Sequence, residues 1–369
     1  MRIAFIGGRD IHILGGIENY MLNLATQLVS LGHEPIVFCE SDHYEETWIN
    51  GFKVIYMSGP KSNLLCKPWV GLKATLKCIF KIKGIDFIHY NAWPPSLWSP
   101  LARIFGIKSL MQGHGLEWKN TKYSFFSKQI LKFMEMVTAY LNKNLIMCSE
   151  YQASYFKKKY HRNAITIPTA VNIPNDFSTS SSTILSTYNI KPQKYFLFLG
   201  RLTHIKNPNC LITAFQNAKL KDYQLVIAGS NNRNLEYVKH LYSLAQNNSD
   251  IIFTGNVYGE DKDVLFRNAY AFCIVSTFEG LSISLLEAMS YKIPVIASTI
   301  PANKEVLDED KALWVRPQNV DDLVQAFHVA INSPELLQGF KDCNYEKVAT
   351  HYTWEKVAQK YVATVNSFH

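Results

Sequence analysis

Short apolar runs alternate along this chain with stretches in which apolar side chains return every three or four positions, the pattern of strands separated by amphipathic helices. In the first half the runs predict strands at Arg2–Ile6, Pro35–Cys39, Lys53–Met57, Phe87–Tyr90, Ser109–Gln112, Leu145–Cys148 and Ala164–Ile167. A second series starts at Tyr195 and continues through Gln224–Ala228, Ile251–Thr254, Ala271–Val275, Pro294–Ala297 and Leu313–Val315. Strands that alternate with helices imply mainly parallel sheets covered on both faces, an α/β architecture. Between the two series, the polar run from Pro174 to Thr183 breaks both periodicities. The expected division is an N-terminal domain over 1–174, a linker over 175–192, a second domain over 193–350 and a terminal helix within 351–369.

A length of 369 residues suits two domains, and a hydrophobic content of 47% supplies a full core to each. No stretch approaches the roughly 20 apolar residues of a membrane-spanning helix. The opening Met1-Arg2-Ile3-Ala4-Phe5-Ile6 reads as a strand running into Gly7 and Gly8, too short for the core of a signal peptide. Seven scattered cysteines show neither even pairing nor metal spacing, which fits a reduced, cytoplasmic compartment.

The candidate chemistry gathers where strands end. After Ala271–Val275 come Glu279 and Gly280, and from Leu281 the apolar positions Leu281, Leu285 and Met289 take helical spacing. Glu279 is expected at the carboxyl end of a strand and Glu287 two turns into the following helix. The amides of Gly280, Leu281 and Ser282 would form a helix N-terminus, which favours an anion through free N–H groups and the helix dipole. The competing reading is an ordinary crossover with two solvated glutamates. Upstream, Tyr195–Leu199 runs into Gly200, Arg201 and Lys206 follow, and Asn207 and Pro208 open a helix. Arg and Lys at the end of a parallel strand can clamp a diphosphate, one as a planar fork and one as a point charge. Both could equally be solvated surface cations.

Together these segments resemble the donor site of glycosyltransferase family 4. The shared pattern is Gly200-Arg201-Leu202 with Lys206-Asn207, then Glu279-Gly280, then Glu287-Ala288-Met289 and the turn Tyr291-Lys292-Ile293 into Pro294-Val295-Ile296-Ala297. The resemblance implies a retaining enzyme of the GT-B fold, two Rossmann-like domains facing each other across a cleft, with the last helix around Trp354–Asn366 crossing back onto the first. It implies a hexosyltransferase in which Arg201, Lys206, Glu279 and His114 act on the reacting groups, Glu279 holding sugar hydroxyls and Glu287 ribose hydroxyls. Gly255 and Val257 would read the nucleobase through backbone, so UDP-, dTDP- and GDP-sugars stay open as donors. Ser282 stands where Pro or Gly is common in the family.

Near the start, Gly15 and Gly16 precede a helix with the buried stripe Ile17, Tyr20, Met21, Leu24 and Leu28, and would let backbone approach a ligand with no Cβ in the way. A dinucleotide fingerprint is the rival, but no G-x-G-x-x-G occurs, which argues against a dehydrogenase. Glu18 is either a first-turn helix charge or a ligand contact. Further on, His114 lies between Gly113 and Gly115, which predicts an exposed, placed imidazole rather than a core one; a loop His bonded to backbone is the alternative. The resemblance puts this His beside the donor sugar or its phosphate. It makes Glu117, Trp118 and Lys119 acceptor-side candidates, like a subgroup that includes bacterial rhamnosyltransferases of surface polysaccharide, capsule or O-antigen, with lipid-linked saccharide acceptors.

Asp308-Glu309-Asp310 has the look of an Asp-x-Asp metal motif, but it falls in a polar turn. No metal or other cofactor is expected. The net charge is +8, concentrated in Lys119, Lys122, Lys128, Lys132, Lys143, Lys157, Lys158, Lys159 and Arg162. These are interleaved with Tyr123, Phe125, Phe126, Leu131, Phe133, Met136, Tyr140, Tyr155 and Phe156, against Glu135 and Glu150. Such a region is either a surface for anionic lipid headgroups, placing the protein peripherally on the inner face of the membrane, or a solvated basic face. No nucleic-acid motif accompanies it. The alternatives to transfer are a GT-B protein that binds sugar nucleotides without transferring them, or an epimerase or phosphorylase on the same architecture.

Overall fold

A computed structural model describes residues 1–11, 15–62, 65–119, 124–176, 183–232 and 234–368, with the backbone alone at Glu117. The chain divides into two compact units. Met1–Ala170 with Trp354–His369 forms the first, and Val171–Thr353 the second.

The first unit holds strands β1 Arg2–Gly8, β2 Glu34–Ser41, β3 Glu45–Ile49, β4 Phe52–Ser58, β5 Phe87–Asn91, β6 Lys108–Gly113, β7 Asn144–Met147 and β8 Ile165–Thr166. They form one sheet in the order β3-β4-β2-β1-β5-β6-β7-β8, parallel throughout except for β3. Near-continuous apolar strands such as Ile3–Ile6 are buried on both faces, as a helix-covered parallel sheet requires. One face is covered by the helices Gly16–Ser30 and Trp354–Ser367, which pack Tyr20, Leu24, Trp354, Ala358 and Tyr361 against Phe5 and Phe87. The sequence reading has no β3. This strand is charged and exposed, with Trp48 70% accessible, and it pairs antiparallel with β4 through Asn50-Gly51, both at positive φ (49° and 83°). Asn-Gly between two runs is a strong hairpin signal, and the short charged edge caps the sheet against further pairing.

The second unit is an all-parallel sheet of β9 Tyr195–Leu199, β10 Gln224–Ala228, β11 Ile251–Gly255, β12 Ala271–Ile274, β13 Val295–Ser298 and β14 Leu313–Val315. Its order is β11-β10-β9-β12-β13-β14. The chain steps outward in both directions from β9, so a topological switch point lies at the carboxyl ends of β9 and β12, where open α/β sheets bind ligands. The first unit has the same device between β1 and β5.

The domain boundaries differ from those read in the sequence. The first unit gives way at Ala170/Val171 rather than at 174, and the second ends at Thr353 rather than 350. Val171 bridges Thr353 in parallel, its N–H donating to Tyr352 O at 2.9 Å, so the second unit's two ends lie side by side. Residues 177–182 of the expected linker lie outside the described residues; its helix Thr183–Thr187 sinks Ile184 and Leu185 into the second unit's core. That stretch is part of the domain because two adjacent apolar residues have a core to enter.

Candidate active site

In the second unit the carboxyl edge is built from glycines and two stitched loops. Gly200 N donates to Ala228 O at 3.0 Å, and Gly229 N donates to Gly255 O at 2.7 Å. A Cβ on Gly229, at φ +145°, would stand 1.9 Å from Gly200 O, so only glycine lets β9 and β10 close at this point. The loop after β9 turns through Lys206 N to Thr203 O (3.0 Å) and Asn207 N to Thr203 O (3.1 Å), with Asn207 left-handed at φ 57° ahead of the helix Pro208–Ala218. Thr277 N donates to Ile205 O at 2.8 Å and ties this loop to the one after β12.

That stitching brings Lys206 and Glu279 together. Lys206 Nζ lies 2.5 Å from Glu279 Oε1, and Ser276 Oγ donates to the same oxygen at 2.5 Å. The side chains are 21% and 10% exposed, so the pair is only partly solvated. Lys206 and Glu279, read in the sequence as two separate ligand posts, are one ion pair at the switch point. Arg201 is exposed and has no ion-pair partner among the described residues.

The helix after β12 starts later than its spacing implies. It spans Ile283–Ser290, with Ser282 as N-cap accepting from Leu285 N through Oγ at 3.4 Å. Gly280 and Leu281 therefore sit in the bend ahead of the helix, and the helix N-terminus belongs to Ser282–Ser284 rather than Gly280–Ser282. Ser282 wins because its hydroxyl satisfies a first-turn amide, which Leu281 cannot do. Glu287 is then little more than one turn in, not two. Its Oε1 accepts from Lys262 Nζ at 2.7 Å. Burial pushes the Glu287 carboxyl above its usual range; Lys262 opposes this and Asp263 adds to it. Gly255 ends β11 at φ +70° with open space where a Cβ would stand, and Val257 is partly buried beyond it.

The first unit places its candidates around β1, β5 and β6. A Cβ on Gly7, at φ +124°, would meet Asn91 O at 2.2 Å, so these two strand ends close tightly. Residues His12, Ile13 and Leu14 lie outside the described residues. Gly16 opens its helix exposed, but a Cβ on Gly15 would stand 2.0 Å from Glu18 Oε2. The room at Gly15 is thus taken by a side chain of the protein. Glu18 is buried and receives Arg9 N at 3.0 Å and Arg9 Nε at 3.3 Å, which makes it an internal brace for the β1 loop.

His114 is not freely exposed. Its Nε2 lies 3.0 Å from Asn91 Oδ1, Tyr20 meets its ring edge-on at 4.9 Å, and it keeps only a partly accessible face. Burial, with a smaller contribution from Lys67, holds the imidazole down at about 3, so it is neutral at physiological pH. Only Gly115 has open space beside its backbone, against expectation; Gly113 is buried, with Met147 Sδ 2.8 Å and the Trp93 ring 2.9 Å from where a Cβ would stand. Trp118 donates its indole N–H to Glu135 Oε2 at 2.9 Å, with Lys119 over the ring at 5.7 Å; the Glu117 side chain lies outside the described residues. Around Asp308-Glu309-Asp310, Asp308 pairs with Lys347 (2.6 Å) and Asp310 with Lys311 (2.8 Å). Among the described residues no group of three or more His, Cys, Asp or Glu is arranged to hold a metal.

Two family models match the sequence: Glycosyltransferase Family 4 over residues 14–173, and Glycosyl transferases group 1 over residues 183–347. The chain belongs to glycosyltransferase family 4. An uncharacterized glycosyltransferase of Methanocaldococcus jannaschii is 27% identical over 380 residues, 96% of this chain and 94% of its own. O-antigen chain mannosyltransferase B of Escherichia coli is 26% identical over 196 residues, 50% of this chain and 48% of its own. Among solved structures, sucrose-phosphate synthase from Thermosynechococcus elongatus superposes with a TM-score of 0.82 at 20% identity, covering 99% of this chain and 98% of that one. Anabaena HepE in complex with UDP-glucose gives 0.80 at 15% identity, with both chains fully covered at 100%. The fold is GT-B.

Several residues of this glycosyltransferase's two carboxyl edges escape a motif reading. Gly229 follows an apolar run directly, which is the signal of a close backbone approach. Lys262 sits in the polar run Glu260–Asp263, where nothing marks it as the partner of Glu287. Asn91 closes β5, and its bond to His114 joins residues from two different strand ends.

Proposed function

We propose that this glycosyltransferase moves a hexosyl group from a nucleoside diphosphate sugar to an acceptor hydroxyl with retention at the anomeric carbon. The observation that carries the reading is the Lys206–Glu279 pair at the switch point of the second unit, a cation and a carboxylate side by side where such sheets bind nucleotides. The bond from the anomeric carbon to the diphosphate breaks and a bond to the acceptor oxygen forms. The acceptor's proton goes to the departing phosphate oxygen. Charge that builds on the diphosphate is met by Lys206, Arg201 and the amides that run from the bend at Gly280, Leu281 and Ser282 into the helix start at Ile283 and Ser284. Glu279, relieved of Lys206, holds sugar hydroxyls. Glu287, held in place by Lys262, takes the ribose hydroxyls. Gly200, Gly255 and Val257 offer backbone to the nucleotide, and neutral His114 offers an imidazole hydrogen bond to the sugar side.

The name of the E. coli relative supports a mannosyl donor ahead of a rhamnosyl one and a role in surface-polysaccharide synthesis, for which we propose a lipid-linked saccharide acceptor. With such an acceptor the protein works peripherally at the cytoplasmic membrane; no helix among the described residues is long and apolar enough to cross it. A thermal-shift screen against UDP-, dTDP- and GDP-sugars, followed by product analysis with the best donor, tests the reading. A bound donor raises the melting temperature by mass action. A chain that no sugar nucleotide stabilises overturns the proposal.

A further inference from the structure

The helix Phe125–Leu141 has two opposed faces, and only one is explained by packing. Its inner face carries Leu131, Glu135, Thr138 and Ala139, all buried. Glu135 is sealed from solvent and accepts from Trp118 Nε1 (2.9 Å), Tyr155 OH (3.0 Å), Tyr160 OH (2.6 Å) and Lys159 Nζ (3.2 Å). These bonds fasten the helix to the loop after β6 and to the helix Glu150–Tyr160, so it is held firmly in place.

On the outer face, Phe125, Phe126, Phe133, Met136 and Tyr140 are between 40% and 79% exposed. At 100° per residue these five positions fall within about one quadrant of the helix surface, a coherent stripe rather than scattered apolar residues. Lys128 and Lys132, one turn apart and both half-buried, border it on one side, with Lys132 Nζ over the Trp118 ring at 4.8 Å and within reach of the boundary by rotation of its side chain. Arg103 Nη1 reaches Leu141 O at 3.4 Å, which ties the far end of the helix to the chain ahead of β6. A solvated basic face has no use for such a row of aromatic side chains, because each leaves apolar area in water.

We infer that this stripe is a docking surface for an anionic lipid bilayer, the aromatic side chains entering the headgroup boundary while Lys128 and Lys132 meet lipid phosphates. Charge selects the occupant. A second copy of a chain carrying +8 would set like charges against these lysines, whereas an anionic bilayer supplies the opposite sign together with an apolar layer beneath it. The inference rests on the proposed peripheral location. It adds a consequence for the site: through Glu135 and Trp118, the loop after β6 hangs from the inner face of the helix that meets the lipid.

The test is flotation of the full chain with vesicles of phosphatidylcholine alone and of phosphatidylcholine with phosphatidylglycerol in equal parts, at low and high salt. Binding should require the anionic lipid and fall with salt. Phe126→Glu and Phe133→Glu should each lower partitioning about tenfold or more, the worth of one buried aromatic side chain. Lys128→Gln with Lys132→Gln should weaken binding to anionic vesicles. Both phenylalanines are exposed, so circular dichroism and melting temperature should stay at wild-type values; should either glutamate variant unfold, Phe133→Ser serves in its place. Binding that ignores lipid charge, or that survives both glutamate substitutions, overturns the inference. So does a dimer in sedimentation that Phe133→Glu dissociates, which would assign the stripe to a second copy. Nucleoside diphosphate binding by the same variants, read by calorimetry, separates the two proposals: retained with docking lost, it leaves the donor-site reading standing.

Discussion

The Lys206–Glu279 pair makes the donor-site reading open to a test by sign as well as size. With no ligand, Lys206 is satisfied by Glu279 at 2.5 Å, and a diphosphate must compete with that carboxylate for the same ammonium. The side chains, 21% and 10% exposed, put the pair between a surface ion pair worth about 0–1 kcal/mol and a buried one whose breakage costs about 3–5 kcal/mol. A resting interaction of about 1–2 kcal/mol follows. Glu279→Gln keeps the shape and a hydrogen bond to Ser276 but removes the competing charge, so a nucleoside diphosphate should bind roughly 5–30-fold more tightly. Lys206→Ala removes a charge-assisted contact worth about 1.5–3 kcal/mol, so the same ligand should bind roughly 10–150-fold more weakly. Turnover should fall in both variants, by about 10²–10³ for Lys206→Ala because that cation meets charge arising in the transition state. Calorimetric titration of each variant with UDP, dTDP and GDP at one pH and one salt concentration reads the two signs directly. Equal weakening by both substitutions would refute the assignment of Lys206 to the diphosphate and Glu279 to the sugar.

Gly229→Ala should destabilise the chain by roughly 3–5 kcal/mol in urea unfolding, because its Cβ meets Gly200 O at 1.9 Å, whereas Gly255→Ala faces open space and should cost only about 1–2 kcal/mol for its left-handed backbone. Lys262→Met should leave the Glu287 carboxyl with its burial uncompensated and its pKa raised further, so nucleoside diphosphate affinity should drop more at acidic than at alkaline pH. Affinity with the same pH dependence as wild type would dissociate Glu287 from the nucleotide. The pH dependence of stability has a definite sign: His114, held at about 3, and His89, held well below 6.5, refuse in the native state the protons that the unfolded chain takes up. Their stabilisation is full above about pH 6.5 and is lost as pH falls below it, for His114 down toward 3, by about 1.4 kcal/mol per unit for a single group. Glu287 acts the other way, favouring the fold at low pH and losing that contribution as pH rises through its raised value. His114→Gln should flatten the acid limb of urea midpoints measured between pH 8 and pH 5.

Most of the sheet architecture is legible because buried parallel strands are continuous apolar runs, and a run such as Tyr195–Leu199 has nowhere to go but a core. The β3 strand is the exception. Edge position lets it be charged, so periodicity is silent and only Asn50-Gly51 speaks for it. At the site, the residue types carry through and their pairing does not. Arg201, Lys206, Glu279 and Glu287 stand out by spacing, but that Lys206 reaches Glu279 depends on Thr277 bonding to Ile205, a contact across 72 positions of chain. Gly15 shows the opposite error. A glycine pair at a helix start reads as space for a ligand, and at Gly15 the space holds the carboxylate of Glu18. His114 likewise owes its neutral state to Tyr20 and Asn91, which adjoin it only in the folded sheet.

The first unit's sheet is finished by residues translated after the whole of the second unit. Tyr361 lies on His89, its hydroxyl 3.0 Å from Nδ1, across 272 positions of sequence. Until Trp354–Ser367 has emerged, Phe5, Tyr20 and His89 have an uncovered face, while the second unit, contiguous from Val171 to Thr353, has all it needs to fold on its own. Synthesis thus imposes an order on assembly. The second unit closes as an independent loop of chain, and the first waits for its final helix before its long-range contacts can repay their ordering entropy.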